Sequence, residues 1–476
     1  MTIDRGHPLS IARWLAISLI CLAPWPYAFI PEDTHPWLTG LLFAISGLWA
    51  VGLTMRRQRP RVPAIVIICG ALLLIQGWML IANAQYFYDR QHFTFVPAHP
   101  WWSGRWVPGA LDTVEAFPMM LRVSGLLTVL CVFTDMASKT IWRRRLLGFI
   151  VWSGLALTVY GLAQRLLNLP LLLWSESALQ HNLFASFYYH GNAGAFVNVL
   201  VPLLIAYTTL AFCRPAAHAS RAFWISSLML VLAAEVAIAS KAAMLVTGIL
   251  LLGAGWVSFH YLLKNGLIRT RKGWPQIAII AVVALLGISL FGFDRAVQRW
   301  GQLPQTLTAD NPRLAAWRAC LRILPDAGPW GIGPGNFKIT FPHYTKGLRT
   351  TAGIWEHAHE DYLETCIEWG WWGIIVWAVL FGGAMRRAVK PSPLVIVPAT
   401  DDLLKTSVAL ALGGLLLHAL VDFPFQIPAI QLYAAALLGI LWSDPSLQEH
   451  ESRSRLVAPF RPTEKARPSR PGPSPL

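Results

Sequence analysis

The segment Glu356-His357-Ala358-His359-Glu360-Asp361-Tyr362-Leu363, followed by Glu368-Trp369-Gly370, crowds proton-transferring groups together just before an apolar, Trp-rich run that reaches Ala384. Histidine titrates near neutrality, so it is the side chain best suited to take a proton from a hydroxyl. Titratable groups at the mouth of an apolar segment are costly to desolvate and tend to mark sites of function. His359 is the candidate base, with Asp361, Tyr362 and Glu368 supporting it. Glu360, Glu364 and Glu368 recur every fourth residue, as on one helix face. Glu360 and Glu364 read as solvated on that face, whereas Glu368 sits deeper.

Two look-alike motifs fall away on inspection. His357-Ala358-His359-Glu360-Asp361 begins like a hydrolase metal site, but Tyr362 stands where the next His ligand belongs, so no metal and no cofactor are expected. Gly331-Ile332-Gly333-Pro334-Gly335 resembles a phosphate loop, yet it follows no strand and contains a proline. The cations that would hold an anionic group are Arg313 and Arg318, with Arg322, on one helix, and Lys241 in a short turn. Snorkelling toward lipid headgroups is the alternative for Arg318 and Arg322. Arg122 and Glu235 lie inside apolar runs near their outer ends, where both would face one cavity.

These groups are carried by a chain built for lipid. Of 476 residues, 55% are hydrophobic and only 13% charged, about half the charge of a soluble domain. Apolar runs of about 18–22 residues recur roughly twelve times, each able to cross a ~30 Å hydrocarbon layer. They centre on 11–30, 36–54, 62–84, 117–135, 146–163, 193–213, 222–240, 242–262, 274–293, 368–385, 404–423 and 427–443. The expected fold is therefore an all-α polytopic membrane domain over 1–443. A large extracytoplasmic helical loop, 294–366, is inserted within it, and a disordered basic tail, 444–476, follows. Pro24 and Pro26 replace a cleavage site, so the first run reads as an uncleaved span.

The formal charge of +15 does not point to nucleic acid. Arg56-Arg57, Arg143-Arg144-Arg145, Arg269 to Lys272 and Arg386-Arg387 fall in alternate short loops, the positive-inside pattern. It puts both termini in the cytoplasm and attracts the chain to anionic membrane lipid. Chemistry is thus expected on the opposite face. There the loop 85–115 carries Tyr86, Phe87, Tyr88, Trp101, Trp102 and Trp106, read as a headgroup belt with sugar stacking as the sharper alternative. In the loop 294–366, Asn311-Pro312 starts a helix. Its apolar stripe is expected at Leu314, Trp317, Leu321 and Leu324. The six cysteines show no paired spacing, and whether Cys320 and Cys366 bridge is open.

Taken in order, these motifs resemble the O-antigen ligase and polymerase family of bacterial envelope glycan synthesis. The matches are Arg313 with Trp317; Pro329, Gly331, Gly333 and Phe337 in the turn; Ala358-His359-Glu360-Asp361-Tyr362-Leu363; and Glu368 with Gly370. His190-Gly191-Asn192 is similar to the family's entry to a central span. The resemblance is specific over 190–385 and rests on span number elsewhere. Two departures stand out: Ser240-Lys241 replaces the family's Ser-Arg, losing the bidentate fork, and Glu360 stands where Asn is common.

The resemblance implies an inner-membrane glycosyltransferase with a periplasmic active face. Its donor would be an undecaprenyl-diphosphate-linked glycan, and its acceptor a lipid A core sugar (a ligase), a growing polysaccharide or a protein. A ligase is the preferred expectation. Arg313 and Lys241, helped by Arg318 or Arg122, would hold the diphosphate. His359 would deprotonate the acceptor hydroxyl for inverting displacement, with Glu368 the rival nucleophile. A transporter or flippase would instead show paired midplane charges and repeated halves, and neither pattern is seen.

Overall fold

Backbone placed in lipid must satisfy its own hydrogen bonds, and the apolar runs do so as helices. The computed structural model describes residues 7–89, 91–92, 94–98, 108–167, 183–214, 218–265, 297, 300–301, 311–345, 355–389 and 399–443. In chain order the helices are α1 (Pro8–Leu22), α2 (His35–Met55), α3 (Ala64–Ala82), α4 (Thr113–Ala137), α5 (Thr140–Leu166), α6 (His190–Asn198), α7 (Leu200–Phe212), α8 (His218–Ile238) and α9 (Lys241–Lys264). They continue as α10 (Pro312–Ala327), α11 (Phe337–Tyr344), α12 (Asp361–Val389), α13 (Ala399–His418) and α14 (Pro428–Trp442). Among the described residues the only sheet is a hairpin of β1 (Tyr86–Asp89) and β2 (Thr94–Pro97).

Eight helical segments among the described residues are long and apolar enough to cross a membrane, and α1 and α14 are shorter apolar helices. The protein is an all-α polytopic membrane protein. Eleven of the runs expected from sequence carry a helix; the run 274–293 and the tail 444–476 lie outside the described residues. α14 forms the centre: nearly every residue on it is buried, Gly439 lies against the backbone at Phe133, and Tyr433 donates to the Ile20 carbonyl at 3.1 Å. One run ends early. α13 stops at His418, and residues 419–423, assigned by sequence to a span, form a non-helical link into α14.

The two ends of the bundle differ. At one, Asp135 takes hydrogen bonds from Trp49 Nε1 and the Arg61 amide and pairs with Arg13 at 3.5 Å. Nearby chemistry repeats where Asp401 bridges Arg143 at 2.6 Å and Arg144 at 3.0 Å. These pairs tie the basic segments to the helices. At the other end α10, α11 and the start of α12 bury a small core of Ala316, Ala319, Cys320, Ile323, Phe337, Phe341, Ala358 and Ile367.

That core revises two expectations. Asn311 caps α10 as expected, its side chain accepting from the Arg313 amide, with Pro312 first in the helix. The buried stripe, however, is Ala315, Ala316, Ala319, Cys320, Ile323 and Ala327, while Leu321 is exposed. Small residues win because α10 packs closely on α12, which large side chains would hold off. Glu360 and Glu364 are also not solvated: both are buried. Glu360 caps α12, accepting from the amides of Tyr362 and Leu363. Cys320 and Cys366 are free thiols.

The glycine-rich turn and α12 interlock. Gly331 (φ 79°) and Gly370 (φ 62°) sit in the left-handed region with their backbones in contact, so a side chain on either would collide with the other's strand of chain. The amides of Ile332 and Gly333 donate to the carbonyls of Ile367 and Glu368, and the Trp372 amide donates to Pro329. Gly370 kinks α12, and Gln76 of α3 donates to the carbonyls of Trp330 and Trp369 beside the kink.

Candidate active site

His359 lies on a strained bend held from both sides. Its φ of 53° is left-handed, a conformation that costs a non-glycine residue about 1–3 kcal/mol and persists only where neighbours enforce it. The enforcement is visible. Glu364 Oε2 accepts from the Ala358 amide at 2.7 Å and Oε1 meets His357 Nδ1 at 2.8 Å, while Trp317 Nε1 donates to the Ala358 carbonyl at 3.2 Å. On the far side the Asp361 amide donates to the Ala419 carbonyl, and Asp361 Oδ2 accepts from the Phe425 amide at 2.8 Å. Tyr362 donates to the Leu416 carbonyl. Asp361 and Tyr362 therefore tie the end of α13 and the link after it to the His359 bend.

That link supplies the partner which sequence reasoning missed. His359 Nδ1 stands 3.2 Å from Asp422 Oδ1. Burial alone would raise the Asp422 carboxyl, but neighbouring His359, His418 and Arg313 hold it well below the ordinary carboxylate range. An ionised carboxylate can only accept, so Nδ1 is the donor in this bond and Nε2 is the ring nitrogen turned away from Asp422. His418 is fully buried with Nε2 3.9 Å from Asp422 Oδ2, too long for a hydrogen bond. Phe423 packs its ring edge-on to His359 and stacked on His357, both at 4.7 Å.

Arg313 joins this group through Tyr189. Its Nη2 donates to the Tyr189 hydroxyl at 2.6 Å and its Nη1 to the Val421 carbonyl at 3.2 Å. Burial first, then the Asp422 charge, raises the Tyr189 phenol above its ordinary range. Gly191, in the first turn of α6, rests directly on Asp422 and Tyr189, where no larger residue fits. Arg313, Tyr189, Asp422 and His359 thus form one cluster drawn from four separate parts of the chain.

The other named residues divide. Lys241 opens α9 after a sharp turn in which Ala239 is left-handed (φ 55°) and Ser240 caps the helix. Ala243, two residues on, packs against Gly194, one turn below the Gly191 contact with Asp422. Arg318 and Arg322 are exposed on α10; Arg318 lies about 140° around the helix from Arg313. Arg122 and Glu235 do not share a cavity. Arg122 is buried among α2, α4 and α12, with Nη1 3.1 Å from His35 Nε2 and the Glu368 charge nearby. Glu235 is buried against α6 near Gly194, because α8 and α4 present their outer halves to different neighbours.

Glu368 stands where the glycine-rich turn meets α12. Its Oε1 accepts from the amides of Gly335 at 2.9 Å and Phe337 at 3.2 Å, so it fastens the glycine-rich turn to α12. The look-alike metal motif does not converge: His357, His359 and Asp361 turn to Glu364, Asp422 and the Phe425 amide respectively.

Half-buried His359, hydrogen-bonded to Asp422 and close to Arg313 at one end of the helical bundle, has the chemistry to take a hydroxyl proton next to an anionic group. Residues 222–378, one stretch within the 476-residue chain, match the family model described as O-antigen ligase, the family whose motifs the sequence resembles. Lys241, Arg313, His359 and Glu368 fall inside the matched segment; Tyr189 and Asp422 fall outside it. No curated protein matches the chain.

Proposed function

We propose that the protein transfers a glycan from undecaprenyl diphosphate to an acceptor hydroxyl at the periplasmic face of the bacterial inner membrane, as an O-antigen ligase using a lipid A core sugar. The observation that carries this reading is the hydrogen bond between His359 Nδ1 and ionised Asp422, which leaves Nε2 as a free base beside Arg313. The acceptor oxygen attacks the anomeric carbon as the bond from that carbon to the diphosphate oxygen breaks. The hydroxyl proton passes to His359 Nε2, and the electron pair leaves with the diphosphate. Asp422 stabilises the imidazolium, as an orienting carboxylate does in a hydrolytic triad. Arg313 and Lys241 neutralise the growing diphosphate charge, and Arg318, on the exposed face of α10, meets the carrier only at the headgroups. One displacement without an enzyme nucleophile inverts the anomeric centre.

The family match also accommodates a polymerase or a protein glycosyltransferase. Deleting the gene in its native host and resolving the envelope glycans on a gel separates these. A ligase deletion leaves full-length polymer on the lipid carrier and bare lipid A core. A polymerase deletion leaves core bearing at most one repeat unit, and an unchanged glycan pattern would overturn the assignment.

A further inference from the structure

The hairpin of β1 and β2 takes no part in the reaction described, yet it is firmly built. Its register pairs Tyr86 with Pro97, Phe87 with Val96, Tyr88 with Phe95 and Asp89 with Thr94. Asp112, fully buried, holds the hairpin to the start of α4 by accepting from the amides of Tyr88, Val114 and Glu115. Side chains alternate across a strand, so Tyr86, Tyr88 and Phe95 share one face and Phe87 the other. The three rings cluster: Tyr88 and Tyr86 lie 5.1 Å and 6.3 Å from Phe95. His343 of α11 adds a fourth ring, 6.3 Å from Phe95.

Two features argue against a lipid anchor. At the hairpin's tip His92 pairs with Asp89 at 2.7 Å, with the His92 side chain 73% exposed, so the tip is dressed for water. And the ring face meets α11 through His343. α11 carries Phe341 in the small core; Phe341 packs on Trp355 at 5.9 Å, and Trp355 on His359 at 5.4 Å. The face is therefore built onto the body that holds the catalytic bend. Phenol and imidazole rings with polar edges suit a pyranose, whose apolar face stacks while its hydroxyls reach polar groups.

We propose that Tyr86, Tyr88, Phe95 and His343 form a glycan subsite that stacks a pyranose ring of a sugar chain engaged at His359. The inference rests on the glycosyl-transfer reading for the origin of the chain. Its ring belongs either to the donor's glycan or to the acceptor's, and kinetics distinguishes them.

The test uses the full-length protein in lipid nanodiscs and, as probe, lipid-free oligosaccharide released by mild acid from the native host's envelope glycan. Saturation-transfer NMR and titration report binding. The Tyr86→Ala/Tyr88→Ala pair should weaken binding about ten-fold, Tyr86→Phe/Tyr88→Phe should largely retain it, and Phe87→Ala, on the opposite face, should leave it unchanged. His359→Ala should bind the probe normally, so a failure of the catalytic reading is separable from a failure of this one. In transfer assays the double alanine variant should raise KM with kcat kept: for the lipid-linked donor if the stacked ring is the donor's, for the acceptor if it is the acceptor's. Unchanged probe binding and unchanged KM for both substrates would overturn the subsite. So would weaker retention of the double variant in the membrane with probe binding intact, which would make the face a lipid anchor.

Discussion

Asp422 and Glu368 are both buried carboxylates near the same end of the bundle, and both engage segments that resemble family motifs, yet they are used in opposite ways. Glu368 hands its hydrogen-bonding capacity to two backbone amides of the glycine-rich turn and faces the charge of Arg122. Asp422 meets His359 and, with Arg313, flanks Tyr189, all groups able to exchange protons or hold an anion. One carboxylate fixes the shape of the chain. The other orients the histidine proposed as the base. Depth does not separate the two; the identity of the bonded partner does.

That contrast breaks most easily at its chemical end. His359→Ala should lower glycan transfer by purified protein about 10²–10⁴-fold with normal membrane levels, since it removes general-base help and leaves the bend intact. Wild-type glycan restored by that variant would refute the assignment of the base. Arg313→Ala should cut transfer by roughly 10–100-fold, mostly in kcat, because it strips charge from the leaving diphosphate and frees Tyr189. Transfer that stays within two-fold would leave Lys241 to hold the diphosphate alone. At the architectural end, Glu368→Ala should destabilise the fold by about 1–3 kcal/mol, leaving the amides of Gly335 and Phe337 without their acceptor. Whatever protein survives extraction should keep a near-normal kcat, and a stable but inactive variant would restore Glu368 as a chemical group. The smallest effect concerns metal: transfer should persist in excess EDTA. Loss that one divalent ion restores would recast His357, His359 and Asp361 as ligands.

Much of this was legible in the sequence, for reasons that also explain what was not. Span lengths are dictated by bilayer thickness, and the cap at Asn311-Pro312 by orphan amides, so both could be read locally. His359 and Arg313 stood out because their residue types sit in motifs with a known family pattern. Asp422 was hidden inside the apolar run 404–423. The signal was there: a carboxylate followed by Phe423-Pro424 at the end of an apolar run should have ended the helix early, as it does at His418. Tyr189 lay one residue before the noted His190-Gly191-Asn192. Its role depends on α6 meeting the link after α13, a contact between segments more than 200 residues apart that no local pattern encodes. The helix-face reading of Glu360 and Glu364 failed for a similar reason, since the partner surface of α10 was assigned to large side chains when small ones make it.

The central claim is that Asp422 sets the proton on His359 so that Nε2 is a base. Asp422→Asn keeps the shape of the side chain and removes its charge, so kcat for glycan transfer by purified, folded protein is the direct readout. The account predicts a fall of about 10²-fold or more with little change in donor KM. A kcat within about three-fold of wild type would contradict it.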